Sequence, residues 1–500
     1  MNARQPGPAH EVVVIGSGVG GLVAAILIRA AGLPVRVLES AATWGGKAGV
    51  AHVDGVEFDT GPSVLTLPRI FDDVFRAAKT NLAEQVTLIQ PEPAFRYHFP
   101  TGTSLDVSHD LDVTLASIER QWGARARDEF RAYLADAARI WESAAPHFVE
   151  GPAPDWKGIL FGGVSRTLAL GRIDAMTTMQ RAIERRVKTP ELVMLLERYA
   201  TYNGSDVRTA PGTLGCIAHV ELGLGGYGVR GGLFRLVEAL GRTAVRLGVE
   251  FEFGCRVERI ETRRDARVEA VVLNEGRRIS VSAVVANADA RQVFESLLPA
   301  EKTAASPLVP SMSAYTAVHR VRRRPSGPRP AHTVVFPRDY LAEFSDIFSE
   351  GRPPREPTLY LCAQESAHER TGWEEDEPLF VMANAPAVDA SPSSNSSREL
   401  EERVEERLRE FELVGPTDRR VWRRTPEELA ARFPGSDGAL YGAASNDKWP
   451  AFRRPANENK QFPGLFLASG SAHPGGGLPL VAQSGKRAAL AVLRYRGVTP

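Results

Sequence analysis

Residues 11–15, EVVVI, are a short β-branched run that passes into GSGVGG, then into the apolar stretch LVAAILIRAAG, and resumes as PVRVLES. Valine and isoleucine favour a strand, a dense apolar stretch favours a buried helix, and Gly32 lies where that helix should stop. The order predicts one βαβ unit. Its turn carries GxGxxG, in which Gly16 permits the tight bend, Gly18 lets backbone approach a pyrophosphate, and Gly21 allows close helix packing. Ser17 and Gly20 complete the loop, and the helix start presents its partial positive charge to the phosphates. A tight structural turn has a similar glycine pattern, but Glu39, 18 residues past Gly21, ends the second strand. A carboxylate there accepts hydrogen bonds from ribose hydroxyls and disfavours a 2′-phosphate, since two anions would share one site.

Just beyond this unit lies WGGKAG, a second glycine pair followed by a cation. A nicotinamide dinucleotide does not need this segment, whereas FAD needs more backbone contacts and a positive charge near its pyrophosphate. Gly46 and Lys47 are the candidates. Near the other end, GLFLASGSAHPGGGLPLVAQSGKRAA reads as a strand that delivers Gly470 and Ser471 to a flavin. Gly475–Gly477 and Leu478 then open a helix. A helix N-terminus at the pyrimidine edge of the ring stabilises the negative charge of reduced flavin.

GSGVGGLVAAILIRAAGLPVRVLES, WGGKAG and FDTGPSVLTLPRIFDDVF together resemble the N-terminus of the carotenoid (phytoene-type) desaturases, FAD flavoproteins distantly related to the amine oxidases. Residues 464–489 resemble that family's closing flavin motif. RYATYNG at 198–204, IAHVELGLGGYGVRGG at 217–232 and GPSVLTL at 61–67 look closest to the 1-hydroxycarotenoid 3,4-desaturases, while 203–209 and Ser469 depart from the pattern. The resemblance implies an α/β fold in which a Rossmann-like FAD-binding domain (1–75, 228–290 and 455–500) is interleaved with an α+β substrate and membrane-contact domain (76–227 and 291–454). It adds Gly61, Pro62, Ser63, Gly477 and the backbone of Val257 to the expected cofactor contacts. It also implies C-3,4 desaturation of a 1-hydroxycarotenoid. Phytoene desaturation, amine oxidation and prenyl-lipid escort of the GDP-dissociation-inhibitor kind are the alternatives.

Two side chains are candidates for chemistry. His473 could orient the ring, position substrate or relay a proton, or it could simply cap a glycine turn. Glu221 could accept the proton lost beside a departing hydride, or serve as a structural ion-pair partner. No HExxH or paired histidine spacing suggests a metal. Lys plus Arg and Asp plus Glu each total 61, so no global field draws nucleic acid. Three scattered cysteines fit a reducing compartment, and the polar start MNARQPGPAHE predicts a cytoplasmic protein. Residues 155–173 mix Trp156, Phe161 and leucines with Lys157, Arg166 and Arg172, as expected of a segment lying on the inner face of a membrane or of core burial. The sequence leaves the oligomeric state open.

Elsewhere the patterns predict helix near 110–145 and on to about 200, helix over 234–247, then short strands to about 290. MSAYTAVHRV, HTVVF, TLYLCA and LFVMANA predict a second sheet, and RELEERVEERLREFEL a solvated amphipathic helix.

Overall fold

The computed structural model describes residues 11–153, 174–299, 309–388, 394–446 and 454–499. Strand β1 (Val12–Ile15), helix α1 (Val19–Ala30) and strand β2 (Val35–Glu39) form the βαβ unit. Around it a five-stranded parallel sheet assembles from distant parts of the chain. Its order is Leu465–Leu467, Ala283–Ala286, β1, β2 and Glu250–Phe253. Alternation along β1 divides the core: Val12 and Val14 face α1 and the helices Phe234–Arg246 and Leu478–Tyr495, while Val13 and Ile15 face the other side. That second side is covered by a three-stranded antiparallel sheet, Val257–Thr262, Val268–Leu273 and Arg278–Ser280, through Val257, Ile260 and Leu273.

The other domain is built on a mixed seven-stranded sheet. The four sequence-predicted strands are Ser313–Arg322, His332–Val335, Leu359–Ala363 and Asp376–Ala385. The hairpin Phe95–His98/Ser104–Val107 and the edge strand Arg419–Arg424 extend the sheet. The fold is therefore the interleaved α/β arrangement implied by the sequence. Two details differ. The long helix near 110–145 breaks at Gly123 (φ +89°) into Leu111–Trp122 and Ala124–Ala144. The charged helix, Ser394–Glu410, is not solvated all round: Leu400, Val404 and Leu408 share one face at i, i+4 and i+8 and bury it on the large sheet.

The chain ends meet through backbone contact. A Cβ on Gly20 would lie 2.1 Å from the Ala468 carbonyl oxygen, and one on Gly485 would lie 2.3 Å from that of Gly20. Gly20→Ala therefore forces α1 from the closing strand and should cost about 1–3 kcal/mol. A lower denaturation midpoint and lower flavin content in the purified variant are the expected readouts.

Candidate active site

At the glycine loop, Gly16 (φ +92°) makes the turn and Glu39 anchors it, accepting from Ser17 N–H at 2.7 Å and Ser17 Oγ at 2.8 Å. The other carboxylate oxygen accepts from Ala41 N–H at 2.8 Å. Cys255 N–H donates to the Glu39 carbonyl at 2.9 Å, which sets Val257 just beyond the end of β2. Gly21 is explained by packing, since a Cβ there would meet the Gly16 carbonyl oxygen at 2.2 Å. Gly18 has a packing reason as well. The space of its missing side chain is taken by Asn287, whose Oδ1 would lie 2.6 Å from a Cβ. Asn287 also donates to the Ala468 carbonyl, tying the loop to the closing strand. It follows the strand Ala283–Ala286 as Gly16 follows β1. That carboxyl-end position was the sequence signal for it.

The second segment joins the same place. Gly45 N–H donates to the Ser17 carbonyl at 3.0 Å, and a Cβ on Gly46 would stand 3.4 Å from Gly18 Cα. Lys47 bonds to backbone in this structure. Its ammonium donates to the carbonyls of Ala439 (2.7 Å) and Leu440 (3.4 Å), in the substrate domain. Burial pushes the Lys47 ammonium's pKa down and that of the nearby Asp289 carboxyl up, and each charge opposes the other's shift. Gly61 and Pro62 are half-buried, and a Cβ on Gly61 would strike the Lys47 carbonyl oxygen at 2.4 Å. The Ser63 hydroxyl pairs with Tyr360 and Cys362 on the large sheet.

In the closing segment, Ser471 Oγ accepts from Ala290 N–H at 2.8 Å and lies 3.0 Å from Ser469 Oγ, which gives the unusual Ser469 a partner. Arg454, a residue the sequence did not reveal, is 6% exposed and holds the loop by donating to the carbonyls of Gly470 (3.1 Å), Tyr441 (3.2 Å) and Ala443 (2.6 Å). Burial lowers its guanidinium pKa to about 10, so it stays charged at neutral pH. Gly477 (φ +95°) caps the helix Leu478–Tyr495, and a Cβ on it would point into open space.

His473 does not sit as a free acid or base. Its Nε2 lies 3.1 Å from the Gly151 carbonyl oxygen, and burial lowers its pKa to about 4. Its imidazole is therefore neutral at neutral pH. Glu221 is likewise engaged, accepting from Tyr199 Oη at 2.9 Å and from Tyr202 Oη. Above it the buried Arg198 donates to Tyr97 Oη (3.2 Å) and Tyr202 Oη (3.0 Å). Its guanidinium stands 5.0–5.9 Å from the ring centres of Tyr202, Phe95, Tyr97 and Tyr360. Tyr202, Tyr360 and Tyr441 are half-buried. Loss of hydration pushes each hydroxyl's pKa up, that of Tyr441 to about 12.

These features have known counterparts. The model of the flavin containing amine oxidoreductases matches residues 19–493. The chain belongs to that family. It is 35% identical to a hydroxyneurosporene desaturase of Rubrivivax gelatinosus, over 98% of this chain and 94% of that protein. It is 28% identical to a 1-hydroxycarotenoid 3,4-desaturase of a Flavobacterium species, over 95% and 97% of the two chains. Wild-type putrescine oxidase bound to putrescine superposes with a TM-score of 0.62 at 13% identity, covering 97% of this chain and 99% of that one, a likeness of fold.

The protein is an FAD-dependent oxidoreductase. The residues present fit that cofactor: neither α1 nor Leu478–Tyr495 has a side-chain cap or an acidic first turn. Both helices thus offer N–H groups to an anion, and Arg454 adds buried positive charge. Among the described residues no three metal-ligating side chains converge, and no helix is long and apolar enough to cross a membrane. Residues 155–173 lie outside the described residues.

Glu39→Ala leaves Ser17 N–H without its acceptor, a loss of roughly 1–3 kcal/mol. Fluorescence titration of the apoprotein should show FAD binding weakened by about 10- to 100-fold. Acid should also weaken the fold. With His473 held near pKa 4 and about 6.5 when unfolded, the unfolded chain takes up a proton that the folded one refuses. Stability is complete above the unfolded value and falls as pH drops toward 4. Urea unfolding at about pH 7.5 and pH 5 should differ by on the order of 2 kcal/mol more in wild type than in His473→Gln.

Proposed function

We propose that this protein is a carotenoid desaturase that introduces the 3,4 double bond into a 1-hydroxylated polyene. The observation that carries the reading is the gathering of the half-buried Tyr202, Tyr360 and Tyr441 beside the closing flavin segment. Tyr360 belongs to the large sheet, and the backbone of Tyr441 packs on Gly476 of the closing segment. The names of the relatives support the same substrate class.

FAD, when bound, supplies the acceptor for a hydride from an allylic carbon. The glycine loop and Glu39 would hold its adenosine half, and residues 470–478 its ring half. The chain's own contribution is orientation and exclusion of water. Conjugation delocalises the charge left on the polyene, and the neighbouring proton departs to a weak base or water. That demand is modest, and it agrees with the engaged state of both His473 and Glu221. The substrate is insoluble in water, so we place the enzyme at the inner face of a membrane, with residues 155–173 as its contact.

Expression in cells that accumulate phytoene, neurosporene or 1-hydroxyneurosporene tests the reading. The 1-hydroxylated pigment should lose two hydrogens and shift its absorption to the red. Conversion of phytoene instead, or bleaching of the flavin by amines, would overturn it.

A further inference from the structure

Resting on the functional reading above, we propose that Tyr202 is the specificity residue that recognises the substrate's terminal hydroxyl, with Arg198 and Glu221 as its positioning residues. In a 1-hydroxylated chain desaturated at C3–C4, two C–C bonds of about 1.5 Å separate the hydroxyl-bearing carbon from the nearer reacting carbon. The partner of that hydroxyl must therefore stand beside the reacting bond, near the flavin segment.

Tyr202 has that position. The next residue, Asn203, accepts from Arg454 at 3.4 Å, and Arg454 donates to the Gly470 carbonyl. Gly204 packs against the ring of Tyr441, whose own backbone lies on Gly476 of the closing loop. On its other side Tyr202 meets the large sheet through Arg198 and Tyr360.

The hydrogen-bond inventory selects the same residue. Arg198, Tyr199 and Glu221 are buried, whereas Tyr202 is half-buried. Its hydroxyl donates to Glu221 and accepts from Arg198 at 3.0 Å. A phenol oxygen in that state keeps one acceptor site, which suits an alcohol that arrives as a donor. The Arg198–Glu221 pair fixes the direction of the Tyr202 proton, so the remaining lone pair is aimed before substrate binds. A hydroxyl carried into an otherwise apolar space without such a partner loses its hydration unrewarded, which turns one phenol into a test for the end group.

The experiment compares dissociation constants of a 1-hydroxylated acyclic C40 polyene and of the same chain without the hydroxyl, read from perturbation of the flavin absorbance of the loaded enzyme. Wild type should favour the hydroxylated chain by about tenfold or more, and Tyr202→Phe should bring the ratio close to one. Glu221→Gln keeps the side-chain volume but turns the Tyr202 proton, and it should lower the ratio as well. Flavin content reports that each variant is folded. A wild-type preference that survives in flavin-loaded Tyr202→Phe overturns this assignment while leaving the functional reading intact. Equal affinities in wild type overturn both.

Discussion

Gly20 is where the two ends of the chain touch, and most of the site depends on that contact. Its absent side chain lets the Ala468 carbonyl reach α1, and the matching gap at Gly485 lets the closing helix lie against the Gly20 carbonyl. Closing a loop that spans nearly the whole chain costs little more than closing a short one, because the entropy grows only with the logarithm of length. The buried side chains that α1 and the closing helix share in one core readily offset that increment. What the contact achieves is electrostatic. Two helix starts without caps, α1 after Gly18 and the closing helix after Gly477, become parts of one site, where either alone would be an ordinary exposed terminus.

The parts of this arrangement legible in the sequence are those whose cause is local. The βαβ unit, the acidic end of β2 and the glycine run before Leu478 each announce themselves within a few residues. The fold class followed from their order. The hairpin at 95–107 was missed although FRYH and SLDV alternate apolar with polar residues, because each arm is only four residues long and too short to stand out from a loop. Asn287, Arg454 and Arg198 escaped for another reason. Their partners lie far along the chain, as with Arg454 and Asn203, 251 positions apart, and no spacing rule connects them. The glycine pattern was read correctly as a motif yet incompletely as physics. At Gly18 the tool of close approach serves Asn287.

The buried charges need a separate account. Arg198 lies in a region otherwise made of rings and aliphatic side chains, and its nearest carboxylate, Glu221, stands 4.0 Å away. Such a pair is a poor source of stability, since the loss of hydration rivals the attraction. Four ring faces and two phenol oxygens recover part of that loss. Arg454 solves the same problem differently, by spending its donors on backbone carbonyls of the closing loop and of the neighbouring 441–443 segment.

The two solutions lead to different chemistry. Carbonyl oxygens are neutral, so the charge of Arg454 is left to act on its surroundings, which include the closing helix start. That is the field an anionic cofactor state calls for. Arg198 is balanced by Glu221, so its field falls off as a dipole, and a polyene that becomes transiently cationic is not repelled. An unpaired cation at Arg198 would oppose hydride loss from the nearby chain. The acid at position 221 is thus explained without making it the base, because its charge is what allows an arginine to stand beside a carbon skeleton that must itself turn positive.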